Sequence, residues 1–127
     1  MHTRTLLGLG TAGLALAFAA PQLSAHHGWG GQSSDQTNLS GTLHEAVDLS
    51  GPHATMQLMD ADGQVWDVTL GPSSRTRRSG LPEAAIPLGA AVTIRGQRNL
   101  DMKRFEMKTV RVTHEGTNYD VYPNRIR

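Results

Sequence analysis

Cysteine is absent from the 127 residues. Its absence removes disulfides, zinc–thiolate centres and thiol catalysis together. Aromatics are scarce, at 5%, which leaves little material for a base-stacking face. An excess of one charge is missing too. Lys and Arg number 12 against 11 Asp and Glu, and Arg4 is the only one of these residues before position 26. The rest of the chain is therefore balanced, and no global field steers it toward nucleic acid or an anionic membrane. Catalytic signatures are also lacking. There is no G-x-S-x-G elbow and no HExxH pair, and the acids are scattered over turn-forming segments.

What is present divides into three parts. Residues 1–25 have the form of a secretory signal. Arg4 supplies the charge, Leu6 to Ala20 the apolar run, and Pro21 ends that run. The run is too short to span a bilayer comfortably. Ala25 suits the position before a cut, although Leu23 is larger than the ideal; Ala17-Phe18-Ala19 offers a competing cut after Ala19. The expected product is periplasmic or secreted and does not span a membrane once the signal is removed. An uncleaved anchor is the alternative. Residues 26–38 are rich in Gly, Ser, Gln and Asn and predict a flexible His- and Gly-rich arm with Trp29 as its one bulky anchor.

Residues 39–127 predict an all-β domain with a short helical insert. Leu39, Gly41, Leu43, Val47 and Leu49 alternate with polar residues, and so do Met56 and Leu58 and then Trp66, Val68 and Leu70. Ser50-Gly51-Pro52 and Asp60-Ala61-Asp62-Gly63 separate these runs as turns. The second of them superficially resembles a calcium loop, but it lacks the terminal Glu. A helix is expected near Ser73 to Ser79 and a fourth strand over Ala91 to Arg98. A fifth strand runs from Phe105 to His114, with a parity break that predicts a bulge near Lys108-Thr109. Tyr119 to Tyr122 adds a short sixth strand. Three strands, a helix and two strands is the order of an OB-like five- to six-stranded antiparallel barrel. Another small open barrel or sandwich is the runner-up.

Histidines are the residues with chemistry to offer. A cut after Ala25 makes His26 the amino terminus, where the free amine and ring nitrogen can chelate Cu(II) or another late transition metal. His27 can add its ring and its amide nitrogen. His53 follows Pro52 at a strand start, is expected to face solvent, and is the best further ligand. His44, expected opposite Gln57, is a weaker candidate, and His114 has no near partner in sequence. The plainer account is that two exposed histidines simply follow a cleavage site.

The chain resembles the small exported proteins of the family known as domain of unknown function 6152. The resemblance rests on Ala25-His26-His27, on Pro52-His53-Ala54, on Trp66, and on Leu88-Gly89 to Val92-Thr93-Ile94. Gly51 stands where that family has Asn, and Gly28-Trp29-Gly30-Gly31 departs from its polar and aromatic continuation. The resemblance implies an exported β domain without an established activity, and it directs attention to His26, His27 and His53.

The reading that follows is a non-catalytic binding or accessory module, with copper as the candidate cofactor. A competing reading takes Arg75, Arg77, Arg78, Arg95, Arg98, Lys103, Arg104, Lys108 and Arg111 as a basic face for an envelope protein, a glycan or a small anionic ligand. A solvated face explains the same residues more simply, and nucleic acid is not expected as a partner. A copper-dependent redox enzyme is a third possibility.

Overall fold

The computed structural model describes residues 29–127, together with Thr3. The expected signal at 1–25 (Thr3 apart) and the candidate ligands His26 and His27 lie outside the described residues. Six strands form one sheet: β1 (Thr37–Asp48), β2 (Thr55–Met59), β3 (Val65–Thr69), β4 (Ala91–Arg98), β5 (Glu106–His114) and β6 (Thr117–Asp120). Their order is β3-β2-β1-β4-β5-β6, and β3 also pairs with β5. That last pairing closes five strands into a barrel, with β6 attached outside the ring. It is parallel, so the barrel is mixed rather than wholly antiparallel. The OB-like order read from the sequence is otherwise present, with α1 (Ser73–Arg78) between β3 and β4. The connection from α1 to β4 contains a 3-10 turn at Pro82–Ala84.

β1 is long because it serves two partners. Thr37 to Thr42 pair with β4, and Thr42 to Asp48 pair with β2. A flat strand cannot curve round a small barrel, and two irregularities in the β2 register bend this one. His44 sits in the first of them, so Glu45 and not His44 stands opposite Gln57. The alternating apolar residues meet inside. Leu43, Met56, Leu58, Val68, Ile94 and Val112 are all buried in one core. The Asp60–Gly63 turn is hairpin chemistry. The Asp60 carboxylate accepts from the Asp62 and Gln64 amides at 2.9 Å and from Trp66 Nε1 at 2.9 Å. The indole hydrogen bond, first of all, holds the Asp60 carboxyl below its usual range. Phe105, expected as the first residue of the fifth strand, lies just ahead of β5 and is 38% exposed.

The parity break in β5 is real and falls one residue beyond its expected place. Arg95 pairs with Arg111, but Gly96 pairs with Thr109, which leaves Val110 as the extra residue. Met107, Lys108, Thr109 and Val110 are consecutively buried, Met107 and Val110 in the core and Lys108 beneath the Trp29 and Tyr122 rings. The bulge turns the Val110 carbonyl toward the chain's end, where it accepts from Val121 at 2.9 Å and from Tyr122 at 3.1 Å. It thereby places Tyr122. β4 meets the bulge with a glycine for a steric reason: a Cβ at Gly96 would fall on the Lys108 carbonyl and 2.9 Å from Thr109 Cα. Backbone cannot yield there as a flexible side chain would. The Gly96→Ala variant is expected to lose about 1–3 kcal/mol of stability, read as a lowered thermal unfolding midpoint. An unchanged midpoint would contradict the close strand approach.

Candidate functional site

One end of the barrel carries a cavity of about 430 Å3. Four separate segments wall it. The β1–β2 connection contributes His53, and the start of α1 contributes Pro72 and Arg75. The chain after β6 contributes Tyr122, Asn124 and Arg125, and the stretch before β1 contributes Trp29.

Trp29 belongs to the arm expected to be flexible, yet it is only 8% exposed. Its ring meets Tyr122 edge-on, with centroids 5.1 Å apart. The following residues are also fastened to the barrel. Gln32 bridges to Asn99, and the Ser33 amide donates to the Arg98 carbonyl at 2.7 Å. Gln97 Nε2 donates to the Ser33 carbonyl at 2.6 Å. The chain's end locks onto the same stretch. Gln36 Nε2 donates to the Arg125 carbonyl, and Gln36 Oε1 accepts from the Arg127 amide at 3.0 Å. Burial of one indole together with these hydrogen bonds offsets the ordering entropy that the glycines would otherwise impose.

Three cations crowd this aromatic pair. The Arg75 guanidinium lies 4.8 Å from the Tyr122 ring centre, and that of Arg125 lies 4.5 Å from the Trp29 ring. Lys108 Nζ sits behind the pair, 5.4 Å from Trp29 and 5.7 Å from Tyr122. Lys108 is 1% exposed and donates to the Leu70 carbonyl at 3.2 Å. It was expected on a solvated basic face; the structure buries it. None of the three cations has a side-chain carboxylate within ion-pair distance. The described pairs are Arg104–Glu106, Arg111–Asp120 and His114–Glu115, and no Asp or Glu precedes Asp35 in the sequence. Glu106 is the acid that most favours the charged lysine, but its oxygens are taken by Gln32 and Arg104.

Electrostatics follow from that arrangement. Burial lowers Lys108 to about 8, opposed by Glu106 and assisted by Arg125. Burial, and then the Lys108 charge, lowers His53. Burial raises Tyr122 against the pull of Arg75 and Arg125. The cavity is thus a positive, partly desolvated pocket with a neutral imidazole at its rim.

The sequence matches no family model and no curated protein. A solved structure, the OBody AM1L10 bound to hen egg-white lysozyme, is similar with a TM-score of 0.48 at 13% identity, covering 65% of this chain and 79% of that one.

Of the expected ligands, His53 is described, and it is a half-buried cavity wall rather than a solvent-facing strand residue. It lies ahead of β2, in the bend after Pro52. His44 does not line the cavity. His114 Nδ1 lies 3.0 Å from the Ala91 carbonyl, a cross-strand structural contact. Among the described residues no group of three or more His, Asp or Glu side chains converges on a metal position. Several of the basic residues are engaged within the protein. Arg111 grips Asp120 with two hydrogen bonds, and the Arg98 guanidinium lies against the Trp66 and Phe105 rings. Sequence reading overlooked Tyr122, Arg125 and the burial of Lys108. One signal for Lys108 was available: it stands beside the parity break, within an otherwise inward run.

The buried lysine makes stability depend on pH in a defined direction. Folded Lys108 releases its proton near 8, against 10.5 for an unperturbed lysine. Between those values the unfolded chain binds more protons, so stability rises with pH, and the full penalty stands below 8. It amounts to about 3 kcal/mol. The urea stability of the wild type, relative to Lys108→Met, is expected to improve by about 2 kcal/mol between about pH 7.5 and 10. A constant difference across that range would contradict an uncompensated charge at Lys108.

Proposed function

We propose that the chain is a non-catalytic binding module whose ligand is a small organic anion held in the cavity between Trp29, His53, Arg75, Tyr122 and Arg125. The observation that carries this reading is the missing counter-charge. A buried cation is ordinarily paired, because an isolated one is costly to desolvate. Here buried Lys108, half-buried Arg75 and exposed Arg125 lie about one aromatic pair, and no side-chain carboxylate comes within ion-pair distance of them, Glu106 acting on Lys108 only from farther off. A carboxylate or phosphate in the cavity supplies what the protein omits. Arg75 and Arg125 can reach it with charge-assisted hydrogen bonds, and Asn124 with its amide. Lys108 acts from behind as fixed charge. Pro72 and the ring edges of Trp29 and Tyr122 receive the apolar remainder of the ligand. The volume falls within the usual range for small-molecule sites. Export to an envelope compartment, read from residues 1–25, makes an envelope metabolite or a glycan-derived acid the natural source.

A second reading keeps the late transition metal, with copper foremost. Its support is that Trp29 and His53 line the same cavity. His27 is two residues from Trp29, a reach of at most about 7 Å along the chain. The neutral form of His53 favoured by its surroundings is the form that binds metal. Against this stand Arg75, Arg125 and Lys108, which repel a dication.

Titration of the protein with glucuronate, benzoate, inorganic phosphate and Cu(II), followed by NMR and indole fluorescence, separates the two readings. The expected result is saturable binding of an organic anion, weakened at least tenfold in Arg75→Ala, as removal of a charged hydrogen bond implies. Anions that leave the spectra unchanged, or bind Arg75→Ala and Arg125→Ala equally well, would overturn the anion reading. Tight Cu(II) binding lost in both His26→Ala and His53→Ala would install the metal reading in its place.

A further inference from the structure

The two arginines of the cavity wall use their N–H groups differently from most others in the barrel. Arg95, Arg98, Arg104, Arg111 and Arg127 each donate a side-chain hydrogen bond to a protein oxygen. Among the described residues, Arg75 and Arg125 find no such acceptor, and each guanidinium lies over an aromatic ring instead. Arg77 and Arg78 lack an acceptor too, but they are exposed and do not line the cavity. A guanidinium carries five N–H donors in a rigid fork whose geometry matches a carboxylate. Contact with a ring face restrains the fork and takes up none of its donors. The cavity therefore presents two restrained forks with every donor unspent.

The forks serve different rings. Arg75 lies 4.8 Å from the centre of Tyr122, and Arg125 lies 4.5 Å from that of Trp29. The rings meet at 74°, so cations over their faces approach the pair from different directions. A carboxylate engages one fork with both its oxygens, which leaves the second fork for a second acid group. Charge leads to the same count. Lys108 is buried and Arg75 half-buried, so both are partly stripped of water. A single negative charge would leave one of them uncompensated, which is costly in a desolvated site. His53 adds nothing to the count, because burial and then the Lys108 charge favour its neutral form. The cavity volume of about 430 Å3 exceeds the needs of one acid group, and Pro72 with the two rings offers an apolar wall for a carbon skeleton.

We infer that the ligand of the cavity is an organic diacid, with one carboxylate at Arg75, the other at Arg125, and its carbon chain against the Trp29 and Tyr122 rings. This assignment rests on the anion reading of the cavity and narrows it to a substrate class. The two ends are not equivalent. Half-buried Arg75 takes the carboxylate that leaves water, and exposed Arg125 takes the one that keeps contact with it. A phosphate monoester is the rival, since it places two charges on one group.

The test compares acids of equal chain length on the full chain at about pH 7, where all are ionised. Butyrate is titrated beside succinate, valerate beside glutarate and hexanoate beside adipate, with phenyl phosphate and benzoate in parallel, and binding is read by calorimetry and indole fluorescence. At least one diacid is expected to bind about tenfold more tightly than its monoacid partner, from the second charged hydrogen-bonded pair. Arg125→Ala is expected to erase that difference, and Arg75→Ala to weaken monoacid and diacid alike. Circular dichroism of each variant verifies the barrel. Monoacids that bind as well as their diacids overturn the diacid assignment and leave the anion reading standing. Phenyl phosphate that binds more tightly than every diacid overturns it as well, in favour of a single dianionic group. No binding by any of these anions removes the diacid and the anion reading together.

Discussion

Lys108 under the Trp29–Tyr122 pair is the contact on which the cavity end of the molecule depends. A lysine side chain that is 1% exposed would be untenable in plain hydrocarbon. Here its ammonium has one carbonyl and two aromatic rings, each a partial substitute for water. The same contact organises the chain. Trp29 comes from the segment before β1 and Tyr122 from the segment after β6, so the ammonium draws two sequence-distant stretches onto one face of β5. His53 and Arg75 complete the enclosure from a loop and a helix start.

That enclosure depends in turn on backbone geometry. The Val110 bulge turns one carbonyl to hold both Val121 and Tyr122, and Gly96 yields the space the bulge requires. Met107 through Thr109 keep a regular register with β4, so Lys108 is buried because Trp29 and Tyr122 cover it, and the bulge acts on the site through the Val110 carbonyl. The arm residues Gly31 and Gln32 that lead away from Trp29 also brace the base of the β4–β5 loop.

Much of the fold was legible in the sequence because short-range patterns encode it. Alternation from Leu39 to Leu43 and from Met56 to Leu70 marked the first three strands, Asp60 to Gly63 marked the hairpin turn, and the helix expected near Ser73 to Ser79 is present as Ser73–Arg78. The parity break near Lys108 announced a bulge to within one residue. What escaped was determined by long-range pairing. Nothing local tells that β3 closes on β5 in parallel, or that a glycine-rich arm is fastened by Gln36 to the chain's far end. Phe105 has the composition of a core residue and lies half outside, because Arg98 and Trp66 hold it at the rim. The candidate site was half legible. His53 was singled out for its place after a proline, and the structure puts it in the cavity wall. Tyr122 and Arg125 lie in a segment positioned by the bulge and by Gln36, both long-range contacts, and lysines are so seldom buried that Lys108 was counted with the surface.

The central claim is that a positive charge lies buried at Lys108 without a protein carboxylate to balance it. Direct observation of the Lys108 ammonium by NMR, titrated in the free protein, tests it most plainly. The account requires a midpoint near 8, moving upward when the cavity is filled by an anion. A midpoint at the ordinary lysine value, unmoved by any anion, would mean that the ammonium is already solvated or paired, and the cavity would lose its claim to be an anion site.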